Sequence, residues 1–179
     1  MKKIITLFLF LCAALIHIQA KDVILGAEQT KQYMPLLKGK RVALLSNHTG
    51  IVIQGKDTIH TLDLLLKHGV EVTSIFSPEH GFRGTAREGE HVASSIDEKT
   101  GIPILSLYDG KSRRPSKEAM ATFDILITDI QDVGLRFYTY YITMFRLMDA
   151  CAHEGKQFMV FDRPNPNGYY VDGPILDMK

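Results

Sequence analysis

The chain has 179 residues, a formal net charge of +1 and two cysteines. A balance this close to neutral leaves no basic surplus for a phosphate backbone, so nucleic acid is not an expected partner. The length suits one domain with a sizeable core, and Cys12 and Cys151 are too few for a cysteine metal cluster.

The first twenty residues, "MKKIITLFLFLCAALIHIQA", put two lysines ahead of an apolar run from Ile4 to Ile16, with a small residue at Ala20. That is the layout of a secretory signal peptide, and the run is shorter than the roughly 20 residues a spanning helix needs. The expectation is export to the periplasm or the medium, cleavage near Ala20, and no membrane contact afterwards. Leu11 is not small, so Cys12 is not read as a lipidation site. Losing Lys2 and Lys3 takes the formal charge from +1 to about −1. Cys151 is then alone and excludes an internal disulfide; its helical neighbours make it a small apolar residue.

From Lys38 onward, short apolar runs alternate with helical patterns. "RVALLSN" (41–47) reads as a strand. "TIHTLDLLLKHG" (58–69) has Ile59, Leu62, Leu65 and Leu66 at helical spacing and stops at Gly69. "VEVTSIF" (70–76) and "IPILSLY" (102–108) read as strands, and the charged stretch from Thr85 to Thr100 as a long loop. "SKEAMATF" opens a short helix capped by Ser116. "DILITDI" (124–130) is a strand, Tyr138 to Gly155 a long helix ending in glycine, and "QFMVFD" (157–162) a fifth strand. Continuous apolar strands alternating with helices imply a mostly parallel sheet covered on both faces: an α/β, Rossmann-like doubly wound domain from residue 21 to residue 179.

The strands end in "SNHTG", "SPEHGFRG", "SLYDG", "DIQDVGLRFYTY" and "DRPNPNG". Open α/β sheets bind ligands outside those ends, so the five clusters are expected at one rim. No G-x-G-x-x-G turn and no Walker A pattern follows a strand, so no nucleotide cofactor is expected. His48, His80 and His91 with Glu79 lack a recognised ligand spacing, and no metal is expected either.

Glu79 leads the candidates. It follows Pro78 at a strand end, beside Phe76 and Phe82, where a low dielectric would raise a carboxyl pKa and suit a general acid. The plainer alternative is a surface turn glutamate. His80 is a second proton carrier, a sugar hydrogen-bond partner or a structural histidine. Arg83 either holds a substrate carboxylate or is a solvated loop arginine. Asp129 lies within a strand run, where an unpaired charge is costly. It is therefore either a structural partner of Arg136 or Arg163, or a catalytic carboxylate. Asn47, His48, Gln131, Asp132, Arg136, Tyr138, Arg163 and Asn165 complete the candidate rim. Among Tyr138, Tyr140 and Tyr141, some line a sugar site and at least one packs in the core.

The strings "LLSNHTGI", "SPEHGFRG", "SLYDGKSRRP", "DIQDVGLRFYTY" and "FDRPNPNG", in this order and spacing, resemble a bacterial family long known only as a domain of unknown function and now associated with exo-β-N-acetylmuramidases. The resemblance covers nearly all of the chain after the leader. It implies an exported glycosidase that releases N-acetylmuramic acid from the non-reducing end of peptidoglycan fragments. It also implies a Rossmann-like N-terminal domain facing a smaller C-terminal domain across a cleft, with the catalytic glutamate of the "SPEHG" block falling on Glu79. The lactyl carboxylate of muramic acid would call for an arginine, for which Arg83, Arg136 and Arg163 are the candidates. Asp109 and Asn167 depart from the family pattern. The chain stops after the fifth strand, so the second domain is expected to be absent. A peptidoglycan-sugar binding domain without turnover is the alternative.

Overall fold

The structure, a computed structural model, describes residues 23–83, 93–108, 110 and 113–177. Residues 1–22, where a leader is expected, Gly84 to Val92 (with His91), and Asp109 lie outside the described residues. A 3-10 turn (Gly26–Glu28) leads into helix α1 (Thr30–Leu37) and strand β1 (Arg41–Ser46). Strands β2 (Ile51–Gln54) and β3 (Asp57–His60) precede helix α2 (Thr61–Lys67) and strand β4 (Glu71–Ser77). Then come β5 (Ser95–Ile96), β6 (Pro103–Ser106), α3 (Lys117–Ala121), β7 (Ile125–Asp129), α4 (Tyr140–His153) and β8 (Gln157–Val160).

Six strands form one sheet in the order β5-β6-β4-β1-β7-β8. All neighbours are parallel except β5, which runs antiparallel on β6. The winding reverses between β1 and β7, and that reversal opens a crevice at their C-terminal ends.

Alternation along β1 explains why both sheet faces are dry. Val42 and Leu44 join the core beneath α1 and α2, with Tyr33, Leu37, Leu62 and Leu65. Ala43 and Leu45 point the other way, into a core with Met120 of α3 and Leu147 and Cys151 of α4. Leu44, Leu45, Leu126 and Ile127 are each fully buried, and each contributes about 1.5–3 kcal/mol of transfer free energy. The expected α/β architecture with helices on both faces is what the chain adopts. Among the described residues no helix is long and apolar enough to cross a membrane.

One expected helix begins late. Thr58, Ile59 and His60 belong to β3, paired antiparallel with β2 from Ile51↔His60 to Gln54↔Asp57. The β-branched run Ile51–Val52–Ile53 and Gly55 at φ 65° favour a tight hairpin. Ile59 only coincides with the helical spacing. His60 then caps α2: its Nδ1 accepts from Leu62 N at 3.1 Å. Ser116 caps α3 as its sequence suggests, accepting from Ala119 N. The long helix begins at Tyr140, two residues later than expected. Ser95–Ile96 forms a short strand within the stretch expected to be loop.

Candidate functional site

At the end of β4 the chain turns through Pro78 and Glu79, closed by Gly81 N donating to Pro78 O at 3.1 Å. His80 takes φ 71°, and Gly81 follows at φ 79°. A left-handed histidine is uncommon, and a non-glycine side chain is strained there. The turn leaves Glu79 partly exposed on the rim. Its Oε2 accepts from Thr139 Oγ1 at 2.7 Å. Thr139 is the N-cap of α4, yet its hydroxyl makes no cap bond to that helix. The hydroxyl is committed to Glu79 instead.

Tyr140, the next residue, is 5% exposed. Burial pushes its phenol up to about 12, helped by neighbouring Tyr138 and opposed by Asn47. The Tyr138 and Tyr140 rings meet edge-on at 4.7 Å. Tyr138 sits before the helix rather than inside it, with Tyr138 N donating to Leu135 O at 3.0 Å.

Asn47 lies in the crevice at the end of β1 and is fully buried. Its Oδ1 accepts from Thr49 N at 2.9 Å and from Thr49 Oγ1 at 2.6 Å. Its backbone O meets His60 Nε2 at 2.8 Å. Because His60 Nδ1 already accepts from Leu62 N, Nε2 carries the proton and donates. A Cβ on Gly50 would lie 2.2 Å from Ser46 Oγ, so only glycine permits this turn.

Asp129 is the other residue of the crevice, and its carboxylate is closed off by partners. It is fully buried, and both oxygens are taken. Arg163 Nε donates to Oδ1 at 2.5 Å, Arg163 Nη2 donates to Oδ2 at 3.0 Å, and Thr61 Oγ1 also donates to Oδ2. Of the two sequence readings, the structural ion pair is the one realised, with Arg163 rather than Arg136. Arg163 is equally committed, because its Nη2 also donates to Ile51 O at 2.9 Å.

Arg83 pairs with Asp97 at 2.5 Å and lies 4.7 Å over the Phe82 ring. Burial of Asp97 opposes its ionisation, but hydrogen bonds from Thr100 and Arg83 outweigh that and leave its pKa lowered. Gln131 ties two rim loops together, its Nε2 donating to Asp132 O at 2.7 Å and Pro164 O at 2.9 Å. Asp132 Oδ1 accepts from Gly134 N at 2.7 Å. Asn165 shapes its own loop by accepting from Asn167 N at 2.9 Å. Arg136 is exposed, and its Nη2 donates to Pro174 O at 2.9 Å; among the described residues it forms no ion pair. His48 is exposed. Among the described residues no three His, Cys, Asp or Glu side chains are grouped to hold a metal ion.

The structure thus brings Glu79, Asn47 and Tyr138 around Thr139 and Tyr140, and commits Asp129, Arg163 and Arg83 to ion pairs. Thr139 and His60 were missed as site-shaping residues. A threonine before a helix reads as a cap, and only the tertiary contact reveals that its hydroxyl turns to Glu79. Two concavities, of about 400 and 480 Å³, lie elsewhere, one around Met34 and His68, the other around Arg114 and His153.

The family model described as "Exo-beta-N-acetylmuramidase NamZ, N-terminal" matches residues 42–179. The chain is 48% identical over 147 residues to a peptidoglycan beta-N-acetylmuramidase NamZ of Bacillus subtilis (strain 168), covering 81% of this chain and 34% of that protein. Two solved structures of DUF1343 family proteins from Bacteroides fragilis NCTC 9343 are also similar, each with a TM-score of 0.72. They are 59% and 38% identical, covering 88% and 86% of this chain and 39% and 38% of theirs. The chain therefore spans about a third of the curated relative and under two-fifths of the solved chains.

Proposed function

The chain belongs to the N-terminal family of the NamZ exo-β-N-acetylmuramidases, and on that premise we propose that its rim is the acid side of a glycosidase site acting on terminal N-acetylmuramic acid in peptidoglycan-derived sugars. The observation that carries the reading is Glu79. It is a carboxyl on an open rim, held by a neutral hydroxyl rather than by a cation. Such a group is available to give a proton to a glycosidic oxygen. Asp129, bound to Arg163, does not supply the second group. The reaction then draws that group from a water or from the substrate's own acetamido group. Export through the leader would deliver the protein to the wall fragments it is proposed to act on.

The arginine for the lactyl carboxylate is Arg136 in this reading. Arg83 and Arg163 spend their charge on Asp97 and Asp129. The Arg136 guanidinium donates to the Pro174 carbonyl, forms no ion pair among the described residues, and lies on the same loop as Tyr138. Sugar binding without turnover is the second reading, supported by the commitment of Asp129 to Arg163, which leaves Glu79 without that carboxylate as a partner.

Hydrolysis of 4-nitrophenyl β-N-acetylmuramide and its N-acetylglucosamine counterpart tests the proposal. Release from the muramide alone, abolished in Glu79→Gln with the circular dichroism unchanged, is the expected result. Activity retained in Glu79→Gln removes Glu79 as the acid. Arg136→Ala should raise KM for the muramide about tenfold while barely changing kcat, the loss of one charge-assisted contact. An unchanged KM excludes Arg136 as the carboxylate's partner. A folded chain that binds the sugars without releasing nitrophenol favours the second reading.

A further inference from the structure

Between the end of β7 and the first turn of α4 lies a pocket of about 70 Å³, lined by Thr128, Ile130, Asp132, Tyr140, Tyr141 and Met144. Two of the polar atoms on these residues, Thr128 Oγ1 and Asp132 Oδ2, are buried without a hydrogen-bond partner in the protein. Buried polar atoms are nearly always paired, so two orphans lining one small pocket need an explanation. Thr128 is 3% exposed within β7. The carboxylate of Asp132 is anchored through its other oxygen, which accepts from Gly134 N. The rest of the lining is apolar or aromatic.

An occupant must offer a donor to the carboxylate, an acceptor to the hydroxyl, and a small apolar end to Ile130 and Met144. A cation can take both oxygens as ligands but leaves the apolar wall unused. Water answers both polar atoms and wastes the apolar wall. A secondary amide bearing a methyl group answers all three. The pocket also lies beside the catalytic rim. Thr139 holds Glu79 and the adjacent Tyr140 lines the pocket, and consecutive Cα atoms are about 3.8 Å apart.

We propose that this pocket is the subsite for the acetamido group of an N-acetylated sugar. Asp132 Oδ2 accepts from the amide N–H, Thr128 Oγ1 donates to the amide carbonyl, and the methyl group rests on Ile130 and Met144. The subsite rests on the reading of the rim as a glycosidase site for such sugars and adds the residues that demand the N-acetyl group.

The test is a ¹H–¹⁵N NMR titration of the full chain with N-acetylglucosamine, glucosamine and acetamide. N-acetylglucosamine and acetamide should shift the amides of Thr128, Asp132 and Gly134, and glucosamine should not. Thr128→Val and Asp132→Asn should each weaken N-acetylglucosamine at least about tenfold. Asp132→Asn can keep the bond to Gly134 while replacing the inner acceptor by a donor, and the same spectra report whether either variant is folded. An equal response to glucosamine, or variants that bind like the parent, overturns the subsite and leaves the glycosidase reading standing. No shift of the pocket amides by either amide probe makes the pocket a water site and overturns the subsite. Amide-dependent shifts from a chain that hydrolyses no muramide support the subsite and count against the glycosidase reading alone.

Discussion

His60 shows how one side chain serves both fold and rim. It ends β3, caps α2 through Nδ1 and fixes the Asn47 turn through Nε2. Its ring also meets Phe82 edge-on at 5.0 Å. Burial lowers its pKa, with Arg83 acting in the same direction and the Asn47 carbonyl, Asp129 and Asp63 opposing. The folded chain therefore keeps His60 neutral at pH values where the unfolded chain, with an ordinary value of about 6.5, takes a proton. Stability from this residue is full above about pH 6.5 and falls as the pH drops from there toward the lowered folded value. Urea midpoints measured from pH 8 to pH 5 should fall in the parent and lose much of that slope in His60→Asn, which retains a capping side chain. An identical slope in the variant would assign the pH dependence elsewhere.

Helix α4 is the element that most directly shapes the site, and it does so at the cost of its own cap. A threonine hydroxyl at an N-cap ordinarily satisfies a backbone N–H of the first turn and contributes about 1 kcal/mol. Thr139 directs that hydroxyl to Glu79 instead. Removing it should therefore affect chemistry more than helix stability. Thr139→Val is expected to lower kcat on the muramide about tenfold with KM nearly unchanged, and Thr139→Ser to restore it. The melting temperature should move by no more than about 2–4 °C in either variant. A large loss of stability with unaltered kcat would make Thr139 a helix cap and nothing more.

Across the whole molecule, Asp129 is the junction. It joins β7 to α2 through Thr61, to the loop after β8 through Arg163, and through Arg163 to the β2–β3 hairpin. Breaking such a buried pair leaves an uncompensated charge and costs about 3–5 kcal/mol. Asp129→Leu and Arg163→Met are each expected to lose that much in urea unfolding. The double replacement Asp129→Leu with Arg163→Met should recover most of the loss, because two apolar groups need no partner. If the double variant is as unstable as the sum of the single ones, the pair is not coupled as the geometry indicates.

The five parallel strands were legible within about two residues because each is a continuous apolar run, and a strand buried on both faces needs such a run. The polar strand ends marked the rim because an open parallel sheet gathers those ends at one edge, although Asp129, Gln131 and Asn165 there hold the loops themselves together. Glu79 stood out by that logic. The β2–β3 hairpin was hidden because Ile59 and Leu62 fall at helical spacing by coincidence, and the glycine turn before them decided the matter. What the sequence could not settle was commitment. Asp129 and Glu79 are both carboxylates at strand ends. One is closed off by Arg163, 34 residues away, and the other stays open beside Thr139, 60 residues away. The pocket of Thr128 and Asp132 likewise exists only where β7 meets α4. Local residue pattern determined the sheet and the rim. Long-range packing decided which carboxylate stays open on the rim, because hydrogen-bond partners far apart in the chain meet only in the folded state.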